Sequence, residues 1–349
     1  MGSGGSLGCR RYADAVTGPP SAAEVLADLR VVAIPLRVPF RGVTTREVAL
    51  VRGPVGWAEF APFLEYADHE SSRWLAAAVE AAWHGWPAPV RADVPVNATV
   101  PAVAAAEVAA VLDRFEGCTT AKVKVAQRGQ RLSDDLDRVA AVRERLGPTG
   151  RIRVDANGAW SLDDAVTALS ALAAYRLEYA EQPCAEVADL ARLRVRLAAL
   201  GVELPIAADE SIRRAEDPLR VAREEAADLV VIKVAPLGGV RRALQVVAEC
   251  GLPAVVSSAL DTSIGMSAGV ALAAALPELP YACGLGTVEL LAGDVVGRSL
   301  RPRGGHIAVP TAAPEVDAEL VERWRAAPDR VAWWRARVER CLDLLDDRT

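Results

Sequence analysis

Lysine is scarce in this chain and placed with care. Of its 40 basic residues only Lys122, Lys124 and Lys233 are lysine; arginine is the cation everywhere else. Arginine keeps its proton inside a protein, whereas a lysine releases one when its surroundings lower its pKa. Lysine chosen against that background points to proton transfer or to Schiff-base chemistry. Lys122 and Lys124 stand one residue apart in AKVKV (121–125), so in a strand they share a face. Lys233 lies in VIKVAP. Between them come three short acidic stretches: VDAN with Asp155 and Asn157, EQP with Glu181, and ADES with Asp209 and Glu210.

Carboxylates that converge on one spot raise each other's pKa unless a cation sits among them. Asp155, Glu181 and Asp209 form an oxygen-only donor set, which suits Mg²⁺, with Mn²⁺ as a substitute. No His or Cys accompanies them, so zinc is disfavoured. His69, His84 and His306 lie away from these stretches. Asp209 and Glu210 are chain neighbours and face opposite ways in a strand, so one is a ligand and the other a supporting group. Two adjacent lysines lower each other's proton affinity, and a nearby divalent ion lowers it further. Lys124, nearer the strand's end, is the better base, and Lys233 approaches from the far side. A small carboxylate substrate would lie between them. The arrangement fits proton removal next to a carboxylate, with the resulting negative charge held by the cation. A Schiff-base aldolase would also use a scarce lysine, but it leaves three acids without a task.

These groups need elements that bring them together. From about residue 98, short β-branched runs alternate with Ala/Leu/Arg-rich helices: TTAKVKVA, RIRVDAN, LEYAEQP, LPIAADES, ADLVVIKVAP and PAVVSSAL are the strands. Strictly alternating strands and helices imply a parallel sheet. Lys124, Asp155, Glu181, Asp209 and Lys233 recur every 24 to 31 residues, one strand–helix unit per step. The pattern predicts an α/β fold with a (β/α) barrel over 98–305; a doubly wound sheet is the second choice. Barrel enzymes gather their reacting groups from the C-terminal ends of successive strands, which is where all five residues fall. An eighth strand is hard to place near YACGLGT, so closure of the barrel is inferred and not read.

Residues 26–97 read as a small α+β domain. Strands RVVAIPLRV, REVALVR and GWAEFAP are separated by turns, and helical SSRWLAAAVEAAWHGW follows. Residues 1–25 are low in complexity, and the opening MGSGGS is linker-like or tag-like. The Trp-rich stretch in 306–349 is helical. A hydrophobic fraction of 52% supplies a full core, and a net charge of −6 with scattered basic residues argues against nucleic acid as a partner. Six well-separated cysteines without a CxxC pair suggest reduced thiols. No apolar run is long enough for a membrane span, so a cytoplasmic protein is expected. The oligomeric state is not legible.

The motifs AKVKV, VDANGAW, EQPC, ADES and VIKVAPLGG resemble those of the enolase superfamily, in its muconate-lactonizing-like branch with a KxK base motif. The likeness covers nearly the whole chain, and SSALDTSIGM with GLGT favours the o-succinylbenzoate synthase family within the branch. It implies a capping α+β domain, a (β/α)₇β TIM-like barrel, and a C-terminal segment returning to the cap. It implies Lys124 as general base and then acid in a syn dehydration of 2-succinyl-6-hydroxy-2,4-cyclohexadiene-1-carboxylate. Lys233 would stabilise the enediolate, and Lys122 would tune Lys124. Asp155, Glu181 and Asp209 would bind Mg²⁺, with Glu210 and Asn157 in support. N-succinylamino acid racemases and dipeptide epimerases carry the same machinery and are the alternative. The family's mobile cap loop would correspond to PFRGVTTRE (39–47). Ser257, Ser258, Ser263 and Gly265 would take the substrate's second carboxylate at a helix N-terminus, and Trp160 is a candidate pocket wall.

Overall fold

The computed structural model describes residues 20–213 and 217–346. Cys9 and most of the expected N-terminal extension lie outside the described residues. After a short helix, Ala22–Ala27, come three antiparallel strands: β1 (Arg30–Phe40), β2 (Val43–Arg52) and β3 (Trp57–Phe60), paired in that order. β1 and β2 meet in a two-residue turn. Arg41 and Gly42 both take positive φ (53° and 81°), the backbone that suits a tight hairpin. The register shifts between Pro35 and Phe40, which re-aims the hairpin tip. Thus PFRG is a formed turn at the tip of a long hairpin. Helix Asp68–Val79 then covers the sheet and continues through a π-helical turn, Glu80–His84.

The strand β4 (Asp93–Pro95) pairs with the late strand β12 (His306–Ala308). Val94 and Ile307 face each other there and join the main core. Seven parallel strands follow: β5 (Ala98–Val100), β6 (Thr120–Lys124), β7 (Arg151–Asp155), β8 (Tyr179–Glu181), β9 (Ile206–Ala208), β10 (Leu229–Ile232) and β11 (Ala254–Val256). Every residue of β5, β6 and β8–β11 is buried, as expected of strands covered on both faces. A helix follows each strand, from Val108–Leu112 to Ser263–Ala275.

Closure comes from a very short eighth strand. Cys283 and Gly284 bridge in parallel to Val96 on one side and to Ser257 on the other. Four backbone hydrogen bonds make the seam: Cys283 N–H to Pro95 O (2.7 Å), Asn97 N–H to Cys283 O (2.9 Å), Gly284 N–H to Val256 O (2.8 Å) and Ser258 N–H to Gly284 O (3.1 Å). The YACGLGT stretch therefore supplies the closing strand, and the (β/α)₇β barrel is complete. A side chain at 284 would drive a Cβ to 2.5 Å from the Ser257 hydroxyl, so glycine is what fits this seam.

The C-terminal helix Pro328–Asp346 packs on helix Asp68–Val79. Trp334 is fully buried, meets Phe60 edge-on at 5.7 Å, and donates its indole N–H to Glu47 at 2.6 Å. Arg337 donates to Tyr66 O, Phe63 O and Ser71 Oγ. It thereby fixes the Phe63–Tyr66 segment, from which Phe63 lines the lysine pocket and Tyr66 meets Arg213. Trp334→Ala should remove about 3–5 kcal/mol of unfolding free energy, read by urea denaturation. A loss under about 1 kcal/mol would mean that the C-terminal helix does not anchor the cap.

Candidate active site

Parallel register places the reacting groups side by side. Lys124 pairs with Asp155 across β6 and β7, and Asp155 pairs with Glu181 across β7 and β8. Asp209 follows β9 and Lys233 follows β10, each at its strand's C-terminal end. The three lysines are each under a tenth exposed, and Asp155, Glu181 and Asp209 are 1% exposed or less. Ions so placed must be paired, because an unpaired charge out of water costs several kcal/mol.

The pairing is dense. Lys122 Nζ donates to both oxygens of Glu181 (2.9 and 3.1 Å) and lies 3.5 Å from Asp155 Oδ2. Lys124 donates to Asp155 Oδ2 and, at 2.9 Å, to Asn157 Oδ1. Lys233 donates to Asp209 Oδ2. Asn157, with φ at 50°, receives its place from its own N–H on Asp155 Oδ1, and passes its side-chain amide to Glu210 Oε1. Strand alternation does not separate Asp209 from Glu210, because β9 ends at Ala208 and Glu210 opens a helix: Lys233 meets Asp209 and Asn157 meets Glu210, but Arg213 binds both.

Identical residue types on one face respond in opposite ways. Burial lowers Lys124; Asp155 opposes this, Lys122 adds to it, and its pKa falls to about 8. Burial also works against the charge on Lys122, but Glu181 and Asp155 more than reverse it and its pKa is raised. The expectation that the two lysines depress each other therefore holds for Lys124 alone; Lys122 stays an ammonium because it sits between two acids. Burial, with Asp155 beside it, lifts Glu181 to about 7 against the pull of Lys122. Asp209 falls to about 2: burial would raise it, and Lys233 and Arg213 overcome that.

Among the described residues no group of three His, Cys, Asp or Glu side chains is gathered tightly enough to hold a metal ion. Lysine ammonium groups stand between the acids instead. The donor set nevertheless suits a hard divalent cation: three buried carboxylates at adjacent strand ends, with positive charge already required between them and Glu181 still short of it.

The remaining sequence candidates divide. Ser257 and Ser258 line a pocket with all three lysines, although the Ser258 hydroxyl is engaged by Gly284 O (2.8 Å) and Thr287 (2.7 Å). Ser263 and Gly265 are spent on the protein itself. Ser263 N–H and Oγ donate to Asp294, and Gly265 N–H donates to Glu59. Thr262 N–H also goes to Glu59, and Ile264 N–H to Thr262 Oγ1. The helix N-terminus expected to receive a substrate carboxylate has thus already given its N–H groups to protein oxygens. Trp160 packs against the barrel's core and does not line the lysine pocket.

Five residues of the site were not singled out by the sequence, although two of them lie in the 39–47 stretch. Arg213, one turn after Asp209, donates to Asp209 Oδ1 (3.1 Å), to Glu210 and to the Tyr66 hydroxyl (2.6 Å). Phe40 lies 5.1 Å from Lys124 Nζ, and Arg41 stands 3.6 Å from Glu210. Both come from the hairpin tip, so PFRG was a pointer to them. Thr99, beside Lys122 in register, keeps a buried hydroxyl without a partner at the pocket wall. Its strand was too short to read. Tyr66 has no signal in the sequence, because its bond to Arg213 spans 147 residues.

Comparison with known proteins gives the family. Residues 31–82 match the family described as enolase N-terminal domain-like, and residues 103–314 match enolase C-terminal domain-like. The chain is 58% identical over 309 residues to o-succinylbenzoate synthase of Thermobifida fusca (strain YX), covering 88% of this chain and 94% of that protein. It is 55% identical over 325 residues to the o-succinylbenzoate synthase of Mycobacterium tuberculosis (strain ATCC 25618 / H37Rv), covering 92% and 96%. Among solved structures, muconate lactonizing enzyme from Pseudomonas fluorescens superposes with a TM-score of 0.73 at 22% identity, over 85% of this chain and 98% of that one. The protein belongs to the enolase superfamily and, within it, to the family of the o-succinylbenzoate synthases.

Proposed function

We propose that the protein catalyses the o-succinylbenzoate synthase reaction of menaquinone biosynthesis. This is the syn dehydration of 2-succinyl-6-hydroxy-2,4-cyclohexadiene-1-carboxylate to 2-succinylbenzoate, a hydro-lyase step. The observation that carries the reading is the placing of Lys124 at the end of β6 and Lys233 just after β10, with Asp155, Glu181 and Asp209 at the strand ends between them. Relatives above 50% identity over most of their own length support the substrate.

In this reading Lys124, as the neutral amine, takes the α-proton of the substrate. The electron pair of that C–H bond moves toward the carboxylate, giving an enediolate. Lys233 holds the growing negative charge from the opposite side by its own positive charge. Lys124 then returns the proton to the departing hydroxyl; the C–O bond breaks, water leaves and the ring becomes aromatic. Lys122 stays charged, keeps Lys124 low in proton affinity and orients Glu181. Asn157 and Arg213 hold Asp155, Asp209 and Glu210 in place. Asp155, Glu181 and Asp209 would bind Mg²⁺, which Mn²⁺ could replace. When bound, that ion supplies electrostatic stabilisation of the enediolate oxygens. Cap residues Phe40 and Arg41 close the mouth, and we take 26–97 as cap, 98–305 as barrel and 306–349 as the segment bracing the cap. Five cysteines are free among the described residues, in keeping with a cytoplasmic enzyme.

Incubation with the cyclohexadiene substrate and Mg²⁺ should bleach its diene absorbance. No bleaching would reject the reading. Lys124→Ala should lower kcat about 10²–10⁴-fold, the usual worth of a general base. A variant as fast as the parent would remove Lys124 from the chemistry. Lys233→Arg keeps a charge but not a transferable proton, so dehydration should survive in part while any racemisation of N-succinylamino acids stops. EDTA should abolish turnover and Mg²⁺ restore it; full activity in excess chelator would overturn the metal's role.

A further inference from the structure

Cap strand β3 is buried along its whole length and yet carries a carboxylate, Glu59. Every hydrogen bond found for that group crosses to the barrel. Oε2 accepts from Thr262 N–H (3.1 Å), Thr262 Oγ1 (2.5 Å) and Gly265 N–H (3.1 Å). Oε1 is buried and has no partner. The approach is close: a Cβ at Gly265 would lie 2.7 Å from Glu59 Cδ and 3.0 Å from Asp261 Cβ. Arg46, from the neighbouring cap strand, donates to Leu260 O at 3.2 Å and to Ala61 O. So two cap side chains grip one barrel segment, 260–265. That segment directly follows Ser257–Leu260, which lines the lysine pocket. Glu59 itself borders a cavity shared with Lys233, Ser257 and Asp261.

A buried carboxylate is costly and is kept where its bonds do something specific. Ordinary capping of helix Ser263–Ala275 would need only Thr262 and Asp294, which already serve two of its N–H groups. We infer that Glu59 is a positioning residue for substrate binding: by holding Thr262 and Gly265 from the cap, it sets how Ser257 to Leu260 face Lys124 and Lys233. Burial and the nearby Asp261 push the Glu59 carboxyl up to about 8, against the pull of Arg46. The contact therefore depends on an acceptor oxygen and does not need a full charge. The inference deepens the reading of the function given above and rests on it.

The test is a double-mutant cycle on steady-state dehydration, with Glu59→Ala and Gly265→Ala. Glu59→Ala should raise KM about tenfold and change kcat much less, the mark of lost substrate positioning with the chemistry intact. Gly265→Ala should do the same by pushing the carboxylate away. In the double variant the added methyl no longer meets the Glu59 carboxylate and only the 3.0 Å approach to Asp261 Cβ remains, so its KM should be close to that of Glu59→Ala and well below the product of the two single effects. Glu59→Gln keeps the acceptor oxygen and should recover most of the loss. Unchanged KM in both single variants, additive effects in the cycle, or a Glu59→Gln as poor as Glu59→Ala would each overturn the inference. If Glu59→Ala does not fold, Gly265→Ala and Glu59→Gln decide it: a KM raised about tenfold in the first and near the parent's in the second supports the inference, and an unchanged KM in the first overturns it. A parent enzyme that leaves the substrate unchanged would instead refute the functional reading, so the two failures are separable.

Discussion

Charge balance in a nearly dry space governs this molecule. Asp155, Glu181 and Asp209 carry negative charge at the barrel mouth with almost no exposure, and Lys122, Lys124 and Lys233 answer them. In such surroundings opposite charges attract far more strongly than in water, and each unpaired ion is correspondingly expensive. The groups come from β6 to β10, so only a correctly registered parallel sheet brings them within reach of one another. A slip of one residue would turn each side chain to the opposite face and strand the charges in the helical shell. The fold and the site are thus one constraint: the barrel assembles the ions, and the ions tolerate few other assemblies.

The cap takes part in the same constraint. Segments after three successive strands are tied to it by polar bonds. Arg213 after β9 reaches Tyr66, Val240 N–H after β10 reaches Glu80, and Thr262 after β11 reaches Glu59. Two of these cap groups, Glu80 and Glu59, are carboxyl groups set at the N-termini of barrel helices, whose N–H groups have no partner within the helix and need acceptors. Behind them, Arg337 of the C-terminal helix holds Tyr66 O and Phe63 O. A continuous set of contacts runs from the last helix through the cap to Arg213 and Asp209. The cap is therefore a wall of the pocket and a brace for its loops, not a detached cover.

Much of this was legible in the sequence, for identifiable reasons. Six barrel strands could be read because β-branched runs and Ala/Leu-rich helices have different periods and alternate without a break. The strand-end acids and lysines could be read because their spacing matched one strand–helix unit. What escaped was short or distant. Ala98–Val100 and the Cys283–Gly284 seam are too brief to show alternation, and the second is recognised only through its hydrogen bonds to both neighbours. Arg213, Tyr66 and Glu59 act through contacts across 147 to 206 residues, or through a helical turn after the strand's end. Ser263 and Gly265 were misread because a motif shows free N–H groups at a helix start, while only the folded chain shows Glu59 and Asp294 already accepting them.

The two lysines of AKVKV make the limit of sequence reading concrete. Spacing puts both on one face, and burial acts on both in the same direction. The difference lies in who else is present. Lys122 spans Glu181 and Asp155 and is held charged; Lys124 has one acid, an amide and the ring of Phe40, and with Lys122 beside it releases its proton far more readily. One lysine thus serves as a fixed positive charge so that the other need not be one. A base poised near neutrality is the product of that asymmetry, and the asymmetry is written in β7, β8 and the cap hairpin, not in the motif that carries the lysines.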